Sequence, residues 1–420
     1  MTVKSELINA FVDRRFADEC AFLAEIVKVP SDNPPGNCTP SARRARDLLA
    51  GLGLEVEVYD VPQDAVRANG MVSATNLVVR QRFGDGDGPV IALNAHGDVV
   101  PPGAGWTHDP YGAEVVSDAQ HGPTMYGRGV AVSKSDFATY TFALLALREF
   151  AASGAQLNGA IELQLTWDEE AGGEIGPRWL LEQGLSQATL AISAGFSYGV
   201  TTAHNGCLHL EVIVHGKQGH AAMPERGVDA IAAATQILTA IYASRDALKA
   251  RKSQTPGIAH PTLNVGLIEG GINTNVVPDR VSFRIDRRII PEENPKEAEA
   301  ELRALIEAAA AKIPGITIEI RRILLSLPLL KLPGADKLIR ALQTRGKEFF
   351  GVEIAEQGVP IYTDARHYTT ASIPAVLYGA GPRTLAEANG HAADENLRLE
   401  DLRRATKVVA GALADLLAAG

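Results

Sequence analysis

Two hydrophobic rhythms divide this 420-residue chain and restrict the folds open to it. Up to about residue 205 the apolar segments are nearly continuous: Val90 to Ala95 running into His96, Ile161 to Trp167, and Thr189 to Ser193. Such runs, with amphipathic helices between them, are strands buried on both faces of a largely parallel sheet. From Cys207 the rhythm changes. Leu208, Leu210, Val212 and Val214 alternate with other residues, as in a strand with one wet face.

The first rhythm opens with a helical pattern over the first residues, then Ser31-Asp32-Asn33-Pro34-Pro35-Gly36, a loop signal. A second amphipathic helix and a strand from Leu54 to Val58 follow. A Pro- and Gly-rich loop runs up to Gly127-Arg128-Gly129, and a helix beyond it carries Phe137, Tyr140, Leu144 and Leu147 on one face. Within 207–323 the reading is a strand, a helix with Ala234, Ile237, Leu238 and Ile241 inward, strands at 262–269 and 280–287, a helix capped by Asn294-Pro295, and a strand from Ile316 to Ile320. The order βαββαβ is that of a ferredoxin-like α+β sandwich. Strand–helix alternation resumes from about Leu329, including a strand from Ile373 to Tyr378. The expected fold is therefore α/β: a mixed-sheet, three-layer domain formed by 1–205 and 325–420, interrupted by a ferredoxin-like domain at 206–324.

Composition narrows the partners. A formal charge of −10 argues against nucleic acid or an anionic membrane as the main partner. Cys20, Cys38 and Cys207 stand far apart and outside any CxxC pattern, so neither a disulfide framework nor a zinc knuckle is expected. The first residues lack an apolar run behind a basic stretch. The most apolar segment, Leu324 to Leu330, is too short to span a bilayer. A soluble cytoplasmic protein is the expectation.

Three segments carry the chemistry. His96-Gly97-Asp98 sits where a strand ends, the place α/β sheets put ligand-binding groups. Its histidine can bind a metal through one ring nitrogen while Asp98 fixes the other N–H. Asp168-Glu169-Glu170 also follows a strand. Adjacent carboxylates repel unless a cation is present; one can ligate it while its neighbour takes a proton from water. His391 lies just past a third strand. Taken singly, each has a plain structural reading: a satisfied turn, a solvated acidic loop, a loop histidine.

In order, these segments resemble the peptidase M20 family, whose members include carboxypeptidase, desuccinylase and deacetylase enzymes. The similarity runs through the early NPPG loop, His96-Gly97-Asp98-Val99-Val100-Pro101, Trp106 with Asp109-Pro110, and Tyr126-Gly127-Arg128-Gly129. It continues with Asp168-Glu169-Glu170-Ala171-Gly172-Gly173, Gly219-His220-Ala221 with Pro224, and Asn275 to Asp279. Asp286 with Arg288 and Pro291, Thr363-Asp364-Ala365-Arg366, and His391 with Asp394-Glu395 complete it. The resemblance implies that His96, Glu170 and His391 are metal ligands, with Asp98 orienting His96 and Glu169 acting as general base. It implies that the inserted domain is a dimerisation domain whose His220 reaches the partner's site and steadies the oxyanion. It also implies that Asn275, Arg288 and Arg366 hold carboxylate or carbonyl oxygens of substrate.

The sequence departs from the family twice. Val132 stands where an aspartate normally bridges two metals. Ile192-Ser193-Ala194-Gly195-Phe196-Ser197 supplies no acid where a further carboxylate ligand is usual. The expectation is one weakly held manganese or zinc ion per chain rather than two, with Asp136, one helical turn beyond Val132, as an open candidate for compensation. The leading functional reading is hydrolysis of a C–N bond in a carboxylate-bearing small molecule, of the N-acyl amino acid or dipeptide type. Two alternatives stand beside it: hydrolytic deamination of an activated aromatic amine such as 5-nitroanthranilate, and a non-catalytic binding or scaffold protein. His108, His121, His204, His209, His215, His260 and His367 read as surface or interface residues.

Overall fold

The computed structural model describes residues 3–118 and 122–418; His121 lies outside them. The chain divides into two compact units. One comprises residues through 202, 331–357 and 363 onward; the other comprises 203–330 with 358–362.

The first unit is built on an eight-stranded mixed sheet ordered Glu57–Asp60, Thr75–Phe83, Gly159–Thr166, Val90–His96, Leu190–Ser193, Ala375–Leu377, Val200–His204 and Glu356–Val359. Its centre is parallel, as the continuous apolar runs require: Val90–His96 pairs in parallel with Gly159–Thr166 and Leu190–Ser193, which pairs in parallel with Ala375–Leu377. Parity along these strands separates two helical layers. Ile91, Leu93, Ile192 and Val376 join the large core shared with helices Val3–Val27, Lys134–Ala152, Ala335–Phe350 and Leu399–Leu416. Ala92, Ala191 and Ala375 point the other way, into a smaller cluster closed by Tyr368 of the helix Ala365–Thr370.

The helix Lys134–Ala152 differs from expectation. It is buried all round from Lys134 to Leu147 rather than on one stripe, because helices Val3–Val27 and Leu399–Leu416 cover its outer side. The strand read at Leu54 to Val58 begins later, at Glu57. The presumed loop before Gly127 contains an antiparallel hairpin, Glu114–Asp118 with Gly122–Tyr126, and Asn396–Arg398 adds a third strand to it.

The second unit is the expected βαββαβ sandwich. Its antiparallel strands are ordered Thr262–Gly270, Arg280–Ile289, Gly206–His215, Thr317–Ser326. Alternate residues Leu208, Leu210, Val212 and Val214 meet Val281, Phe283 and Ile285 under helices Ala230–Leu248 and Pro295–Ala310. Both helices start on side-chain caps: Asp229 accepts from the N–H groups of Ile231 and Ala232, and Asn294 accepts from that of Lys296 at 3.0 Å.

Candidate active site

Strand register sets the floor of the site. His96 lies opposite Thr166, so two parallel strands end together and release Gly97-Asp98 and Trp167 to Glu170 at one carboxyl edge. Only glycine fits between them: a Cβ on Gly97 would lie 2.4 Å from Trp167 Nε1. Asp98, fully buried, accepts the backbone N–H groups of Glu169 (3.2 Å) and Glu170 (3.0 Å) and the Asn33 amide (3.0 Å). One carboxylate thereby sets the backbone from which both glutamates project.

The same residue also sets the tautomer of His96. Its carbonyl oxygen is 3.0 Å from His96 Nδ1, with its carboxylate further off at 3.4 Å. A carbonyl can only accept, so Nδ1 carries a proton and Nε2 is the ring nitrogen left to face the glutamates. That nitrogen is 4.0 Å from Glu169 Oε2, and one ligand atom from each of His96, Glu169 and Glu170 lies within 4.8 Å of the others. His391 Nε2 lies 3.4 Å from Glu170 Oε1 but outside that group, on a loop residue whose φ of +64° is in the left-handed region. A non-glycine residue held there costs backbone energy, which is common where function fixes geometry.

The charges fit a cation. Burial pushes the Glu169 carboxyl up to about 7, opposed by His96 and reinforced by Glu170 and Asp98. Burial and the charge of Asp98 push Asp168 to about 7 as well. Burial works against protonating His96, yet Glu169, Asp98 and Glu170 raise its pKa well above the ordinary histidine value. His391 is raised chiefly by its contact with Glu170. An imidazole set to hold a proton among unbalanced carboxylates is the electrostatic counterpart of a metal site, since the proton occupies the place of the stronger cation.

Asp364 was quoted within a motif but given no role. It is 3 % exposed, and neither carboxylate oxygen has a hydrogen-bond partner among the described residues. Burial, then Glu169 and Asp168, hold its pKa well above the usual carboxylate range. Gly173, with φ +67°, lets it approach: a Cβ there would fall 2.1 Å from Asp364 Oδ1.

Other candidates fall differently. Arg366 is buried, with Nη1 donating to the Thr363 carbonyl at 2.8 Å and Nη2 to that of Gly172. His367 is buried beside it, 3.2 Å from the Gly172 carbonyl, and His204 is buried against Asn205 and Leu329; neither is a surface residue. Asp136 accepts the Ala380 N–H at 2.7 Å and that of Gly195, and is not among the residues grouped with His96. In the second unit, His220 and Asn275 are neighbours. Gly219–His220 pairs with Val276–Val277, and the Ala221 N–H donates to the Asn275 carbonyl at 3.1 Å. Arg288 forks onto Asp286 at 2.9 and 3.1 Å.

Residues 202–314 match the family model described as the M20 peptidase dimerisation domain. The acetylornithine deacetylase of Myxococcus xanthus is 29% identical over 399 residues, 94% of this chain and 96% of that protein. The succinyl-diaminopimelate desuccinylase of Sphingopyxis alaskensis is 28% identical over 95% of this chain and 98% of its own.

The chain carries an M20 peptidase dimerisation domain and is similar over nearly its whole length to a deacetylase and a desuccinylase.

Solved structures agree on the fold. The M20 metallo-carboxypeptidase Sso-CP2 of Sulfolobus solfataricus superposes with a TM-score of 0.75 at 18% identity, over 94% of this chain and 98% of that one. Human carnosine dipeptidase 1 gives 0.75 at 17% identity over 99% of each. Within this M20 fold the two departures are side-chain changes on well-held backbone. The N–H groups of Ala131 and Val132 donate to Glu395 Oε1 at 3.1 and 3.3 Å, and Glu395 is locked to Arg128 at 2.7 Å. The Ala194 N–H donates to the Asn94 carbonyl at 2.8 Å. No helix among the described residues is long and apolar enough to cross a membrane.

Proposed function

We propose that this chain hydrolyses a C–N bond, an amide of the N-acyl amino acid or dipeptide type, in a small carboxylate-bearing molecule, with one divalent manganese or zinc ion held by His96, Glu170 and His391. The observation that supports the reading is the double hold of Asp98 on the backbones of Glu169 and Glu170, an arrangement suited to a ligand and a base working side by side. A divalent ion there would polarise the scissile carbonyl and acidify water. Glu169 then takes the water proton and returns it to the departing nitrogen, a role suited by a pKa near 7. Burial and the neighbouring acids hold the Asp364 carboxyl well above its usual range, so it resists adding a further charge beside Glu169.

His220 supplies the oxyanion donor. Its Nδ1 accepts the Ala222 N–H at 3.1 Å, which leaves Nε2 of this exposed residue to carry the ring proton and donate. Arg288 is the better arginine for a substrate carboxylate, being part-exposed, whereas the buried Arg366 ties the Thr363 and Gly172 loops together. The edge strand Thr262–Gly270, with Leu267 and Ile268 both more than half exposed, suits pairing with a second copy about a two-fold axis.

The test combines elemental analysis with a screen of N-acetyl and N-succinyl amino acids and dipeptides in the presence of manganese or zinc. Amide turnover that disappears in His96→Ala, together with one metal equivalent, is expected. Loss of two equivalents would show a dinuclear centre. Ammonia release from an aminobenzoate without amide turnover would replace the substrate class, and absence of metal binding would leave a binding protein.

A further inference from the structure

The second unit holds a cluster of which the reaction above uses only Arg288. Cys207 and His209 alternate with Leu208 and Leu210, and Asp286 and Arg288 flank Arg287 on the neighbouring strand. Register places His209 directly opposite Asp286 and Cys207 opposite Arg288. Since Leu208, Leu210 and Ile285 enter the helix-covered core, these four residues share the opposite face of the sheet.

Three donor atoms of different chemistry converge there. Cys207 Sγ is 3.2 Å from His209 Nε2, His209 Nε2 is 3.0 Å from Asp286 Oδ2, and Sγ is 3.8 Å from the same oxygen. A proton relay through the imidazole would need one partner on each ring nitrogen. Here both partners meet the same nitrogen. A tetrahedral zinc ion with ordinary bond lengths sets S, N and O ligands at mutual separations of roughly 3.4–3.6 Å. The observed triangle departs from that by a few tenths of an ångström, so small side-chain rotations close it around an ion.

We propose that Cys207, His209 and Asp286 form a second divalent-metal site, of the cysteine-containing kind that takes zinc or cobalt. On binding, the thiol releases its proton to solvent, and thiolate and carboxylate balance the dication. Arg288, donating to both oxygens of Asp286, keeps the carboxylate in place, the part an outer hydrogen-bond donor plays at metal sites. His209 and Asp286 are each about one-third exposed, which leaves an outer position for water or a small anionic ligand.

Sulfur distinguishes this site from the one at His96, whose grouped ligands contain none. Cobalt(II) titrated into the full-length protein should produce thiolate-to-cobalt charge-transfer absorption in the near ultraviolet, at one equivalent per chain. The band should vanish in Cys207→Ala and in His209→Gln, and persist in Cys38→Ala and His96→Ala. The His209 variant keeps the thiol, so it decides the matter should Cys207→Ala fold poorly. No charge-transfer band at saturating cobalt, or a band surviving in either Cys207→Ala or His209→Gln, would overturn the proposal.

Discussion

The two units treat the same side-chain types in opposite ways. At the strand ends of the first, carboxylates are crowded and buried with little positive charge among them. Glu169 and Asp168 rise to about 7, and Asp364 is also held well above its usual range. On the sheet face of the second, Asp286 is also partly buried, which alone would raise it. His209 and Arg288 more than offset that and hold its pKa below the ordinary value. A protein that keeps acids together uncompensated leaves room for a cation from outside; one that supplies its own arginine has already balanced the charge. A metal entering the first site takes the place of the proton that the carboxylates draw onto His96, and one entering the second displaces the thiol proton of Cys207, so binding at both should strengthen as pH rises.

The sharpest way to break that contrast is Glu169→Gln. It keeps the size and the backbone hold of Asp98 but removes the base. Turnover is expected to fall by roughly 10²–10⁴-fold while elemental analysis still finds the metal. Loss of the metal would make Glu169 a ligand and collapse the division of labour between it and Glu170. His220→Ala comes next. Removing one oxyanion donor costs about 10²–10³ in kcat, and metal content should stay unchanged. A variant that loses metal would sink the oxyanion role.

Much of this was legible beforehand, for identifiable reasons. Parallel strands buried on both faces write themselves as apolar runs, and their ends located His96 and Glu169. The alternation from Leu208 to Val214 disclosed the inserted sandwich. The hairpin from Glu114 was hidden because its strands are short and partly exposed among Pro and Gly. Burial of polar groups was also invisible. Asp364 drew no role, Arg366 read as a substrate-binding residue and His367 as a surface or interface one, since sequence does not show that a glycine at 173 brings Asp364 and His367 beneath the Gly172 turn. The Cys207 cluster escaped because Asp286 lies 79 residues from Cys207 and becomes its neighbour only through antiparallel register.

A third carboxylate separates burial from function. Glu19 sits within the helix Val3–Val27, fully buried, with Oε1 accepting from the Thr406 hydroxyl at 2.5 Å and Oε2 without a partner among the described residues. Burial raises its pKa to about 8, opposed only by that hydroxyl. The folded protein therefore holds a proton that the unfolded chain, with a pKa near 4.5, gives up. The stability this contributes is fully present below about pH 4.5 and declines as pH rises, until it is lost through about pH 8. Glu19→Gln keeps the shape without the ionisation, so its melting temperature should exceed that of the parent at pH 8 to 9 and match it near pH 5, with turnover and metal content unaltered. Equal melting curves at both pH values would mean that water or local opening relieves the buried charge. Burial alone would then be too weak to account for the raised carboxylates at the strand ends.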